Sequence, residues 1–337
     1  MQLRFSRREA LQKGALGAAA SVFLAREALA QTGGAVSSSP PPPFFPGVYR
    51  FQIGATNAVV ISDGTSRFPN PHPLWAPQAT PKQFANVLSE YFLPANELLL
   101  HFNVLAIESA PGKWALVDTG SGNTGGPTLG KLLLGLQHAG ISRESVHDVL
   151  VSHAHSDHIA GAFGEDKSPV FPNATFHVHA LEEQFWTKSP DLSKIALPPE
   201  FLASLLGISQ NFFELARPRM ALFSGGKPLF NGLVTPIFLP GHTPGHCGFL
   251  IGSGEDKLFH FADLAHHHVL MFSRPEWTVG FDTDQKVSSA TRRQQFRSFA
   301  GERTRTLGYH LPFPGLGRLR TWKNGYQWVS EPMNLSS

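Results

Sequence analysis

The sequence predicts a layered α/β fold, and three observations carry that reading. Apolar, β-rich segments alternate with segments of helical spacing through the first half of the chain. The apolar run at 146–151 reads as a buried strand and leads straight into His153, His155, Asp157 and His158. Further His and Asp residues recur at the ends of later predicted strands, on the edge of an α/β sheet where ligand sites form.

The first 30 residues read as an export signal: a basic segment, FSRREALQKG, then an uncharged run at 15–25, then Ala28-Leu29-Ala30 as a small-x-small cleavage site. Ser6-Arg7-Arg8 followed by Leu11 and Lys13 resembles a twin-arginine address, which places the expected mature protein in the periplasm. The apolar run is too short to serve as a membrane anchor. Arg4, Arg7, Arg8, Lys13 and Arg26 against Glu9 and Glu27 account for the whole formal charge of +3, leaving 23 basic and 23 acidic residues beyond position 30. That balance, with no basic run after the N-terminus, excludes an electrostatic nucleic-acid binder. Cys247 is the single cysteine, so the chain holds no internal disulfide. Residues 31–47, rich in Gly, Ser and Pro, read as an extended linker, and 48–337 as one folded domain.

Within that domain, 49–53 and 58–62 read as strands closed by Asp63-Gly64, a hairpin-type turn. Residues 67–81 carry five prolines and read as a loop, with His72 and Trp75 placed either to overhang a site or to cover the sheet. A helix is predicted at 82–93, then two strands at 98–107 and 114–117 joined at Pro111-Gly112, the second delivering Asp118-Thr119-Gly120. A helix at 129–139 closes on Gly140. After the histidine cluster come a strand at 174–179 and helices beginning at 181 and 201. A strand at 234–239 runs into His242, and a hairpin of 249–251 with 257–261 ends at Asp263. Residues 284–299, with Arg292, Arg293 and Arg297, read as a solvated helix, and 307–310 as a last short strand.

Seven residues stand at these strand ends: His153, His155, Asp157, His158, His242, Asp263 and His310. Imidazoles and carboxylates suit zinc and its first-row neighbours, and burying so many polar groups together is costly without a metal. Asp118, at a neighbouring strand end, is placed to accept the free N–H of a ligating imidazole; a plain turn-capping role is the alternative. His246 is open between structure and function. His266, His267 and His268 follow Asp263; if extended, alternate residues face opposite ways, so at most two point inward.

HAHSDHIAG matches the HxHxDH signature of the metallo-β-lactamase superfamily, and GHTPGH, ADL and His310 follow in its order. Within it the chain is most similar to the methyl parathion hydrolase group, through LVDTG with GPTLG, FPNA, the Phe185-Trp186 pair, GHTPGH and HLPFPGLG. The resemblance implies an αββα sandwich and a dinuclear site. His153, His155 and His242 would hold one divalent ion, Asp157, His158 and His310 the other, and Asp263 would bridge them, with Asp157 and Asp263 as catalytic carboxylates. Zinc is the default; manganese, iron or cobalt suit the same ligands. A hydroxide shared by the ions would attack apolar esters, lactones or phosphotriesters. Trp186, His266, Phe281 and Phe201 match pocket positions, and the group's dimers imply a homodimer. Where the group carries a pocket aromatic this chain has Gly125, which predicts an open wall and weak phosphotriesterase activity. The alternatives are a β-lactamase of the same fold, a non-catalytic metal or ligand binder, and a di-iron redox protein. The last is disfavoured by His155, where such relatives carry an acidic residue, and by the lack of length for a flavin domain.

Overall fold

The computed structural model describes residues 47–334 apart from 189 and 255; the signal-type segment and the linker up to residue 46 lie outside the described residues. Two mixed sheets face each other. The first has seven strands in sequential order: β1 (Val48–Ile53), β2 (Thr56–Pro69), β3 (Glu97–Ala110), β4 (Lys113–Val117), β5 (Val146–Leu150), β6 (Thr175–His179) and β7 (Met220–Phe223). β1 to β4 pair antiparallel and β4 to β7 parallel. The second sheet runs β13-β12-β11-β10-β9-β8, built from β8 (Val234–Phe238), β9 (Cys247–Ser253), β10 (Asp256–His260), β11 (Arg305–Leu307), β12 (Leu316–Trp322) and β13 (Gly325–Ser330).

Side chains alternate across each strand, and this alternation makes the layers. On β2, Ala58 and Val60 join the core between the sheets, where they meet Leu105, Val117, Phe249, Leu258 and Leu307. Val59 and Ile61 point the other way into the core shared with the helices. Phe84 and Leu88 come from the helix Pro81–Ser89, which starts on a Thr80/Gln83 capping box with Pro81 in its first turn. Phe213 comes from Pro199–Ala216, and Phe296 and Phe299 come from Gln285–Glu302. The result is the αββα sandwich, with helices covering the outer faces. No helix among the described residues is long and apolar enough to cross a membrane.

Several expectations are corrected. Asp63-Gly64 is no hairpin turn: β2 runs through to Pro69, and Asp63 is the extra residue of a bulge against β3. The cause is tertiary. The buried Asp63 carboxylate accepts N–H bonds from Ser121 (2.8 Å), Gly130 (3.2 Å) and Leu132 (2.9 Å), tying the loop after β4 to the sheet. Gly64 sits at φ 130°, and a Cβ there would meet the Thr128 carbonyl at 2.0 Å. The helix at 285–302 is not wholly solvated. Arg292 is fully buried and donates to the carbonyls of Leu264 (2.6 Å), Pro275 (3.1 Å) and Trp277, which fastens the loop beyond Asp263. β7, β12 and β13 carry no expectation from the sequence, while 307–310 is strand only to Leu307 and then turns.

Replacing Asp63 by alanine removes the acceptor of three backbone N–H groups, each worth about 1–3 kcal/mol when left unpaired. Asp63→Ala is expected to cost about 3 kcal/mol, and Asp63→Asn, which keeps one oxygen, roughly half of that. Urea unfolding at unchanged slope measures both. An alanine variant as stable as the wild type would contradict this role for the carboxylate.

Candidate metal centre

The candidate ligands converge because five strands end on one edge. β5 releases Ser152 to His158, β8 leads to His242, β10 to Asp263 and β11 to His310, while β4 ends at Asp118. Ligand atoms of His153, His155 and His242 lie within 4.8 Å of one another, and so do those of Asp157, His158 and His310. Asp263 sits between the two groups: Oδ1 is 3.3 Å from His158 Nε2, and Oδ2 is 3.4 Å from His242 Nε2 and 3.2 Å from His310 Nε2.

The orientation of these side chains is informative. The Nε2 atoms of His153, His155, His158 and His242 and Oδ1 of Asp263 are buried without a hydrogen-bond partner. The opposite ring nitrogens of His153, His158 and His242 are engaged, as is Nδ1 of His310. His158 Nδ1 donates to Asp118 Oδ2 (2.8 Å), His242 Nδ1 to Asp282 Oδ1 (2.7 Å) and His310 Nδ1 to the His101 carbonyl (3.0 Å), while His153 Nδ1 pairs with Ser152 Oγ (3.1 Å). For His158 and His242, a carboxylate behind and an Nε2 without a hydrogen-bond partner in front is the arrangement that orients an imidazole to ligate. Burial and the neighbouring imidazoles hold His153 and His155 well below the ordinary imidazole range, so both present a lone pair at neutral pH. Although burial opposes it, Asp263 and Asp282 hold His242 up to about 9, so a cation bound there must displace a proton. The donor set and its unpartnered atoms fit a pair of divalent ions.

Asp118 is fully buried, with its backbone in the left-handed region (φ 65°), and it also accepts from Ser152 N–H and Oγ–H, both at 2.8 Å. The structure therefore places it behind His158 and not merely at a turn. His246 supports the backbone of Asp263: Nδ1 donates to the Leu239 carbonyl (2.8 Å) and Nε2 accepts from Asp263 N–H (3.2 Å). Burial, with His242 nearby, pushes its pKa down to about 3, consistent with the neutral ring that both bonds require. Sequence reasoning passed over Asp282, Ser152 and Glu182. Asp282 lies 40 residues from the ring it orients and carries no local mark of that contact.

Above this floor lies a mostly apolar cavity. His266, Phe281 and Phe201 line it, as do Asp157 and Asp263, and Trp75 overhangs it as well. His72 does not line it and instead binds the Ala79 carbonyl. Neither ring nitrogen of His266 has a hydrogen-bond partner, and Nε2 is 3.1 Å from Asp263 Oδ2; burial, against the pull of Asp263, lowers its pKa to about 4. Trp186 is absent from the lining. It is fully buried, donates to Glu182 (2.7 Å) and packs edge-on against His155, so it backs that ring and does not face the cavity. Nor is the wall at Gly125 bare. A Cβ there would come within 2.7 Å of Leu129 and Ser121, because Leu129 fills the space that an aromatic would need.

A family model for the metallo-beta-lactamase superfamily matches residues 101–301. Among solved structures, the dizinc quorum-quenching lactonase AidC, in complex with a homoserine product, is similar at 29% identity and TM-score 0.80, covering 85% of this chain and 98% of its own. The hydrolase AbOPH of the beta lactamase superfamily is similar at 28% identity and TM-score 0.77, covering 87% and 100%. A probable metal-dependent hydrolase from Staphylococcus aureus shares the fold at 17% identity and TM-score 0.67, covering 84% and 100%. Curated protein sequences yield no match.

Asp118→Asn tests the support behind His158. An amide turned toward Nδ1 presents a donor where an acceptor stands, which favours the tautomer that blocks Nε2. The ion held by Asp157, His158 and His310 is expected to bind roughly 10- to 100-fold more weakly, as read by chelator competition. Unchanged affinity for both ions would contradict that role.

Proposed function

Because this chain belongs to the metallo-beta-lactamase superfamily, we propose that it is a dinuclear metal-dependent hydrolase of uncharged, apolar lactones and esters. One observation carries the reading: the buried cluster with five unpartnered ligand atoms reaches, through His155, Asp157, Asp263 and His310, a cavity otherwise lined mainly by aromatic and aliphatic side chains, with no lysine or arginine. Such a wall desolvates an acyl chain or aryl group and offers nothing to a charged one. A β-lactam substrate carries a carboxylate that would seek a cation, so the β-lactamase reading is disfavoured. The similarity to AidC, a lactonase, supports the ester and lactone class. The closer kinship with the methyl parathion hydrolase group, and a secondary activity on phosphotriesters, belong to the same proposal.

When bound, the two ions supply a water of lowered pKa and polarise the electrophilic oxygen. The chain does the rest. Phe201, Phe281 and Trp75 hold the apolar part of the substrate and exclude water. Asp157 and Asp263, the two carboxylates on the cavity wall, are placed to take up the proton of the nucleophile and return it to the leaving oxygen. Asp118, Asp282 and the His101 carbonyl keep His158, His242 and His310 in register. The order of basic, apolar and Ala-Leu-Ala segments in residues 1–30 supports twin-arginine export to the periplasm. A homodimer is proposed on the resemblance alone.

On metal-defined protein, lactones and aryl esters are expected to be hydrolysed, phosphotriesters more slowly and the β-lactam nitrocefin not detectably. EDTA should abolish the activity, and zinc, cobalt or manganese should restore it. Turnover that survived complete metal removal would sink the mechanism. Separately, an Arg7→Lys/Arg8→Lys double substitution should leave the protein in the cytoplasmic fraction, and unchanged export would overturn the localisation.

A further inference from the structure

The ligand sets come from loops that are far apart in the chain, and one buried carboxylate outside the ligand set joins two of them. Glu182 lies in the helix Ala180–Thr187 and is 1% exposed. Its Oε1 accepts from the backbone N–H of Ala154 (2.8 Å) and from Trp186 Nε1 (2.7 Å). Its Oε2 accepts from Thr243 Oγ1 (2.6 Å) and from the backbone N–H of Gly245 (2.9 Å). Ala154 stands between His153 and His155, and Thr243 follows His242. Three ligands of one ion are therefore held at a common spacing by a single side chain. The fit is close: a Cβ on Gly245 would come within 2.2 Å of the Glu182 backbone nitrogen.

All four partners are donors, so the position requires a group that only accepts, and a carboxylate is the side chain that does so. An amide of the same size would turn an NH2 toward two of those donors. From the other side, Ser209 Oγ donates to the Ala154 carbonyl (2.7 Å); where the loop begins, Cys247 N–H donates to the Ser152 carbonyl (2.9 Å), and beyond that backbone bond Glu182 is the side chain that ties this loop to the one carrying His242. No oxygen of Glu182 bonds to Asp157, His158 or His310 or to the residues next to them.

We infer that Glu182 is a positioning residue that sets the distance between the His153/His155 loop and the His242 loop, and thereby governs the affinity of one ion of the pair and not the other. The inference rests on the dinuclear reading above.

The test is metal retention, read independently of turnover. Wild type, Glu182→Gln and Thr243→Val are loaded with zinc and dialysed against graded chelator. Cobalt-substituted His155→Ala and His310→Ala proteins mark which ion is missing from each absorption spectrum. Glu182→Gln is expected to hold the His153/His155/His242 ion roughly 10- to 100-fold more weakly, with the second ion within about threefold of wild type. Thr243→Val, which keeps the carboxylate and three of its donors, should show a smaller loss at the same ion, and it decides the matter if Glu182→Gln does not fold. Equal weakening of both ions, or no weakening of either, would overturn the inference while leaving the hydrolase reading intact. A wild type that bound no ion would overturn the metal centre and this inference with it.

Discussion

Four imidazole nitrogens and one carboxylate oxygen, buried side by side and without partners, are the constraint on which the rest of this structure depends. A buried polar atom left unpaired costs about 1–3 kcal/mol. Five of them together rival the whole net stability of a domain, about 5–15 kcal/mol. An arrangement of that kind persists only if something binds it, and cations are what these donors share. The fold makes the convergence affordable by bringing five strand ends to one edge, so that each ligand leaves a rigid element within a few residues of its place.

Buried charge outside the ligand set follows the same economy. Asp63 fastens the loop after β4, Glu182 the loops around Ala154 and Thr243, and Arg292 the loop beyond Asp263. None of the three bonds to a ligand side chain. Each answers backbone groups that would otherwise be unsatisfied where loops run inside the molecule. Asn103 does the same without charge, donating to the carbonyls of Gly308 and Leu311 on either side of His310. The candidate metal centre is thus framed by loops whose shape is specified by side chains from other elements, which accounts for how irregular segments can hold these imidazoles and carboxylates in place.

What was legible in the sequence follows from range. The ligand residues lie beside predicted strand ends, and strand periodicity is local, so their convergence could be anticipated. Asp63 looked like a turn residue because Asp-Gly is a turn signal over four residues, and only Ser121, Gly130 and Leu132, far along the chain, turn it into a bulge. Arg292 looked solvated because a cation on a polar helix normally is; its three carbonyl partners come from a loop 15 to 28 residues away. Trp186 is expected in the pocket only through its match to a pocket position of the methyl parathion hydrolase group, and its full burial with the hydrogen bond to Glu182 puts it behind His155 instead. β12 and β13 follow the Pro and Gly-rich stretch at 312–317 and lack alternation: Leu316 and Leu319, three residues apart, are both buried because they enter different cores on opposite faces of the sheet.

Gly125 shows why substrate range resists the same reading. Its missing side chain suggested a gap, yet Leu129 occupies the space, so the composition of one position said nothing about the shape of the wall. The roof is coupled in the same way. Gly280 N–H donates to the Leu74 carbonyl and the Gly280 carbonyl accepts from Ala196 N–H, both at 2.7 Å, so three loops from distant parts of the chain meet at one residue. Leu74, Leu197 and Phe281 are carried on those loops, and all three line the cavity. A change in any one loop moves the others. Selectivity is therefore a property of the joined roof, and the roof shares a loop with the floor: Phe281 lines the cavity while the next residue, Asp282, orients His242, so a change in that loop reaches both.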